Sequence, residues 1–320
     1  MIDFYALLQI ILTLMLLLIV GVLCRKTKVI GDHIASKNLS TLIIKVGQPL
    51  MIVAALAKQE YNEENLHLAL IATLIGIVMH IVMAGLAFLL CLPIKDKTLR
   101  NVSEFTCIFA NCGFLGFPIM EALFGDRGLF MAAFYVIGFN LMIWSWGLFV
   151  IGRGTDTVKV TVKKIFVNYG TIPCAIGFLV FLSHLLFGQY EIPAFLMNFM
   201  NYLGNLCTPI SVLITGALLA TIPVSKLVKT RQAYYTSLVK LIIMPLIICF
   251  AGHLMRLPDM IVLFCTAMAA LPSAATVTMF CEMYDIEGGA YASQMVGTTS
   301  VLCLGTLPVI MLLADLIIQI

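Results

Sequence analysis

The sequence predicts an all-α polytopic membrane protein. Ten transmembrane helices form two inverted five-helix repeats, and the fourth and ninth helices are broken midway. Three observations predict this. The composition is 62% hydrophobic and only 11% charged, where a soluble domain carries about 25% charged residues, so too little polar surface remains to cover a water-soluble globule. The basic residues crowd into alternate loops. Interruptions by glycine and proline recur at matching places in the two halves.

A spanning helix needs roughly 20 mostly apolar residues. Ten runs meet that need: 5–24, 38–57, 66–92, 102–124, 128–152, 166–188, 195–221, 234–255, 260–283 and 290–318. Span 1 is preceded by Asp3 and followed by Arg25, Lys26 and Lys28. A signal peptide has the opposite polarity, so span 1 reads as a retained helix. Span 2 carries Gly47-Gln48-Pro49, and span 7 carries Cys207-Thr208-Pro209 at the corresponding place. Spans 3 and 5 each hold one central polar side chain, His80 and Asn140. Span 4 carries Asn111-Cys112-Gly113-Phe114-Leu115-Gly116-Phe117-Pro118, and span 9 carries Leu271-Pro272-Ser273-Ala274-Ala275-Thr276. Spans 6, 8 and 10 are apolar throughout most of their length.

Arg25, Lys26, Lys28 and Lys37 fall in loop 1–2, Lys95, Lys97 and Arg100 in loop 3–4, Arg153, Lys159, Lys163 and Lys164 in loop 5–6, and Lys226, Lys229, Arg231 and Lys240 in loop 7–8. Of the 19 Lys and Arg, only Lys45, Lys58, Arg127 and Arg256 lie elsewhere. The excess marks the cytoplasmic side, which puts both termini outside the cell membrane. The chain then divides into a first repeat (1–152), a cytoplasmic linker (153–165) and a second, inverted repeat (166–320). Inversion follows because each half has an odd number of spans.

Broken helices are tolerated at membrane depth only where the freed backbone is buried in protein or lines a cavity. A pair of them in corresponding positions points to a carrier's binding site. Each restarted helix exposes amides and a partial positive charge, which suit an anion. Asn111 can donate and accept, Ser273 and Thr276 add hydroxyls, and Pro118 fits the first turn of a restarted helix. The plain alternative is a packing kink. Lys45 in span 2 is a counter-charge for an anion or a snorkelling lysine. His80 and Asn140 are coupling groups or satisfied interhelical hydrogen bonds. The ten cysteines read as small core residues, without C-x-x-C or histidine at ligand spacing, so no metal or cofactor is expected. No H-E-x-x-H, G-x-S-x-G or P-loop occurs, and an enzyme is not expected. Scattered basic residues give no nucleic-acid patch.

The span-4 run resembles the Asn-x-Gly-Phe-Leu-Gly-x-Pro signature of the auxin efflux carrier family. The span-9 run, Ala270 to Thr276, resembles that family's second crossover. The resemblance implies a fold shared with bile acid–sodium symporters and related antiporters. Spans 1, 2, 6 and 7 would form a scaffold, spans 3–5 and 8–10 a core, and spans 4 and 9 would cross where they unwind. It implies carriage of a small organic anion such as malate or an auxin-like acid, by elevator-type movement of the core, in a homodimer. Asn111 would contact the substrate, with Cys112, Gly113, Gly116, Pro118, Pro272, Ser273 and Thr276 around it and Gln48 and Thr208 on the facing scaffold. A coupling proton or sodium ion is expected, with Lys45, His80 and Asn140 in support. Sodium-coupled symport of an organic solute, a membrane sensor and an intramembrane enzyme are the competing readings.

Overall fold

The computed structural model describes residues 4–31, 33–154, 161, 163, 166–188, 190–221, 230–284 and 286–319. Among them the only non-helical pairing is an isolated bridge between Ala110 and Ser273. The first half contains α1 (Phe4–Lys26), α2 (His33–Leu42), α3 (Gln48–Ala57), α4 (Glu63–Leu90), α5 (Lys97–Ile108), α6 (Phe117–Met142) and α7 (Leu148–Gly152). The second contains α8 (Thr171–Phe187), α9 (Ala194–Gly204), α10 (Cys207–Leu219), α11 (Arg231–Leu238), α12 (Met244–Leu254), α13 (Asp259–Ala270), α14 (Thr276–Met283) and α15 (Gly289–Ile318).

Among the described residues, five helical runs are long and apolar enough to cross a bilayer: Ile34–Ala57, Glu63–Leu90, Phe117–Gly152, Arg231–Leu254 and Gly289–Ile318. The expected fourth and ninth spans fall short of that length because each is cut in two. Gly125, at φ 61° and ψ −151°, ends the second piece of span 4 in a conformation open essentially to glycine. The chain is a multi-pass, all-helical membrane protein. Most of the expected 153–165 linker lies outside the described residues.

Wide π turns link several of these segments, at Ile43–Gly47, Cys112–Gly116, Ile143–Gly147 and Val239–Ile243. Three of them run directly into a helix with proline in its first two positions, at Pro49, Pro118 and Pro245. Proline has no N–H to return to the preceding turn and its ring crowds the carbonyl there. A widened turn relieves that crowding without breaking the span.

Packing divides the helices into two groups. In one, α1 lies along α10, α3 along α8 and α9, and α2 against α10. In the other, α4 lies along α6 and α5, α12 along α13, and α15 along α13 and α14. The groups meet where α1 and α3 touch α6 and where α10 touches α15. The most enclosed elements are the first pieces of the broken spans. Asn101–Ile108 of α5 and Val262–Ala270 of α13 are buried on every side, whereas outer helices turn side chains such as Phe187 and Leu254 outward.

Two glycines allow α4 and α6 to approach backbone to backbone. A Cβ on Gly138 would come within 2.7 Å of the Gly76 carbonyl carbon. Small residues let membrane helices gain close van der Waals contact. Gly138→Leu should therefore lower the unfolding midpoint in detergent, at a cost of about 1–3 kcal/mol from overpacking. An unchanged midpoint would mean that α4 and α6 are free to separate.

Candidate functional site

The two broken spans meet. Pro272 biases Leu271 out of the helical region, and Leu271 is extended at ψ 152°. Phe109 is likewise extended, at φ −101° and ψ 109°. The freed backbone groups pair across the gap: Asn111 N–H donates to Pro272 O at 2.8 Å, and Ala274 N–H to Phe109 O at 2.9 Å. Each interruption thus satisfies the other's peptide groups. The Ser273 amide donates to Thr299 Oγ1 at 3.1 Å, and its hydroxyl donates to Thr106 Oγ1 at 3.4 Å. Both Ser273 contacts tie the crossing to neighbouring helices.

Beyond Asn111 the chain restarts through the Cys112–Gly116 turn. The Leu115 and Gly116 amides both donate to the Asn111 carbonyl, at 3.1 and 3.2 Å, and the Cys112 amide donates to Ala110 O. These three donors are occupied by the protein itself. Pro118 lies in the first turn of α6, where its missing N–H costs nothing. Thr276 opens α14 and is half-buried.

Segment 111–118 faces two spaces. Asn111 and Leu115, with Pro272, line a small cavity of about 30 Å³ whose other polar walls are Ser211, Thr215 and Ser300. That volume holds two or three waters, since each needs roughly 10–15 Å³. Phe117 and Pro118 line an open cleft of about 500 Å³ facing Thr208, Asn201, Asn205 and Lys58, with Glu121 beside them. Ligand pockets typically measure about 300–1,000 Å³. The cleft runs between α3, α9 and α10 on one wall and the start of α6 on the other. Gln48 reaches the same segment: a Cβ on Gly113 would lie 4.0 Å from Gln48 Nε2.

Three other expected residues lie in separate surroundings. Lys45 is exposed, with its ammonium 5.6 Å from the centre of the Tyr169 ring. Asn140 is buried at the contact with α8, donating to Val136 O at 2.9 Å and to Cys174 Sγ at 3.7 Å. His80 pairs Nδ1 with Gly76 O at 2.5 Å and stacks on Phe109, ring centres 5.4 Å apart. Of these three, His80 alone contacts a residue of the break.

Sequence reasoning misassigned Lys240. Counted above with the loop cations, it is fully buried within the Val239–Ile243 turn of span 8. Its ammonium donates to Cys107 O at 3.4 Å. The charge asymmetry between loops survives its removal. Ser211, Thr215 and Ser300 were also overlooked, although Ser211 and Thr215 share one face of span 7 at i,i+4 spacing.

The sequence profile of a family described as "Membrane transport protein" matches residues 6–165 and 157–311, one copy in each half. The chain belongs to that family, the auxin efflux carriers. An uncharacterized transporter of Methanocaldococcus jannaschii is 22% identical over 300 residues, covering 91% of this chain and 94% of the relative. An uncharacterized transporter of Methanothermobacter thermautotrophicus is 26% identical over 157 residues, 47% of this chain and 50% of its own. The protein is thus a membrane transporter of the auxin efflux carrier family. The two matches overlap between α7 and α8.

Proposed function

We propose that this carrier moves a small organic anion, a carboxylate such as malate or an auxin-like acid, by alternating access. The observation that carries the reading is segment 111–118, which borders an open cleft on one side and a cavity of water size on the other. In this reading α1–α3 and α8–α10 are the scaffold, and α4–α7 with α11–α15 are the core of two inverted five-helix repeats. A substrate entering the 500 Å³ cleft would meet Gln48 and Thr208 on the scaffold and reach Asn111 at the crossing. Closing that cleft and opening the cavity at Ser211, Thr215 and Ser300 would complete the step. An amide side chain and hydroxyls recognise a carboxylate without trapping it, since hydrogen bonds to a charged group contribute only about 1.5–3 kcal/mol each.

The test is uptake of labelled malate and a panel of monocarboxylates into proteoliposomes, under a proton or a sodium gradient imposed separately. Saturable flux that Asn111→Ala lowers supports the reading, and the effective gradient names the coupling. Folded wild-type protein that moves no acid in the panel overturns it. Gln48→Ala should raise the half-saturating concentration about tenfold, the equivalent of 1.4 kcal/mol. Unchanged saturation would remove Gln48 from the substrate path.

A further inference from the structure

Lys240 is the buried cation beside the crossing, one hydrogen bond away from the end of α5. It is fully enclosed in the π turn between α11 and α12. Among the described residues its ammonium has one hydrogen-bond partner, Cys107 O at 3.4 Å, in the last turn of α5. An ammonium has three donors, so this one is poorly satisfied for a charged group in a dry core. The ionisable groups acting on it are the thiols of Cys107 and Cys112 on span 4 and Cys303 on α15, with the His80 ring on α4. No carboxylate among the described residues is in that set. The final carbonyls of α5 offer it a partial negative charge, which is weaker compensation than an acid would give.

Its surroundings connect in two directions. Cys303 lines the small cavity together with Asn111 and Pro272, so an anion at Asn111 would bring negative charge toward the ammonium. Away from the crossing, Thr236 precedes Lys240 by one turn. Its hydroxyl donates to Ser103 Oγ at 2.9 Å, and both hydroxyls meet Tyr291 OH, at 3.0 and 3.3 Å. This buried hydroxyl cluster joins α11, α5 and α15 and lies toward the end where α5 and α15 begin.

We propose that Lys240 is the proton-binding group that couples the carrier to a proton gradient, making it a proton–anion symporter. The inference rests on the anion-carrier reading above. Lys240 takes up one proton as ammonium while the anion occupies the crossing, and returns it as neutral amine after the anion leaves. Each stabilises the other's binding, because the charges are opposite and linkage is reciprocal. The proton reaches and leaves the amine from the side of the Ser103–Thr236–Tyr291 cluster.

The experiment uses the full chain in proteoliposomes loaded with a pH-sensitive dye, with labelled malate and the acid panel as probes. Wild type should acidify the lumen as the acid enters. K240R keeps a fixed charge that no ordinary pH removes, so acid–acid exchange should continue while gradient-driven accumulation falls about tenfold, within the usual range of coupling. K240H should restore accumulation with its pH profile displaced to lower pH, following imidazole's lower ordinary value. A merely structural lysine would leave K240R as proton-driven as wild type, and that result overturns the proposal. If wild type moves no acid, the anion reading fails separately. The unfolding midpoint of ligand-free protein, measured against pH, then decides the lysine's role. A pH-dependent component absent from both K240R and K240M supports a proton-binding lysine, and identical profiles overturn it.

Discussion

Asn111→Pro is expected to prevent stable folding, whereas Asn111→Ala is expected to fold and to fail in transport. The two substitutions remove different parts of one residue. Proline deletes the amide that donates to Pro272 O at 2.8 Å. That carbonyl is buried in the crossing, and the small cavity that Pro272 lines offers it only a water in place of the amide. Leaving it unpaired costs about 1–3 kcal/mol in a protein core, and several kcal/mol where hydrocarbon surrounds the defect. Alanine leaves the backbone bridge whole and removes only the side-chain amide at the cavity wall. Its expected loss in anion affinity is about 10–100-fold, the equivalent of one hydrogen bond to a charged group. Thermal unfolding in detergent separates the two outcomes. Equal destabilisation by Pro and Ala would mean that the side chain, not the peptide pairing, holds the crossing together.

The second large effect is expected at Glu104. This carboxylate is buried, with Arg153 against one oxygen and Arg100 Nε 3.6 Å from the other. The same corner is fastened by Asn101, whose Nδ2 donates to Arg153 O at 2.9 Å. Glu104→Gln leaves two guanidinium groups without a counter-charge at the joint between α5 and α7. Breaking a buried pair typically costs about 3–5 kcal/mol. Both arginine side chains are about a quarter exposed, so water recovers part of that, and about 2–3 kcal/mol is the expected loss. Replacing Arg153 by leucine in the same chain should recover some of it, because one orphaned charge disappears. A double variant as unstable as the sum of the two single ones would show that the pair is not coupled.

The interruptions were legible in the sequence because glycine and proline act locally. Asn111 to Pro118 and Leu271 to Thr276 break helices whatever surrounds them, and both breaks occur where the sequence puts them. Their meeting was an expectation from the family resemblance, and the bridge between Ala110 and Ser273 realises it. Lys240 was counted with the loop cations although it lies six residues into span 8, and the side it presents to its neighbours was not legible. Its burial depends on packing against α5, which is a tertiary property. Lys45 illustrates the converse. Depth along span 2 could be counted, but the face it presents could not, and it turns toward Tyr169. The hydroxyl cluster of Ser103, Thr236 and Tyr291 joins residues far apart in the chain, and single hydroxyls in apolar helices carry no signal of their own. The wide turns before Pro49, Pro118 and Pro245 follow from proline chemistry and could have been anticipated from it.

The bridge at the crossing also sets a timetable for biogenesis. Phe109 O and Asn111 N–H are synthesised about 160 residues before Ala274 N–H and Pro272 O, a delay on the order of 10–30 s at usual elongation rates. During that interval the first half of the chain has a gap in its backbone pairing that lipid cannot fill. Span 4 therefore has to wait in a hydrated or protein-lined environment at the insertion machinery until span 9 emerges. Ribosome pausing between the two halves, or truncation after residue 152, would lengthen that exposure and hand the nascent chain to membrane quality control.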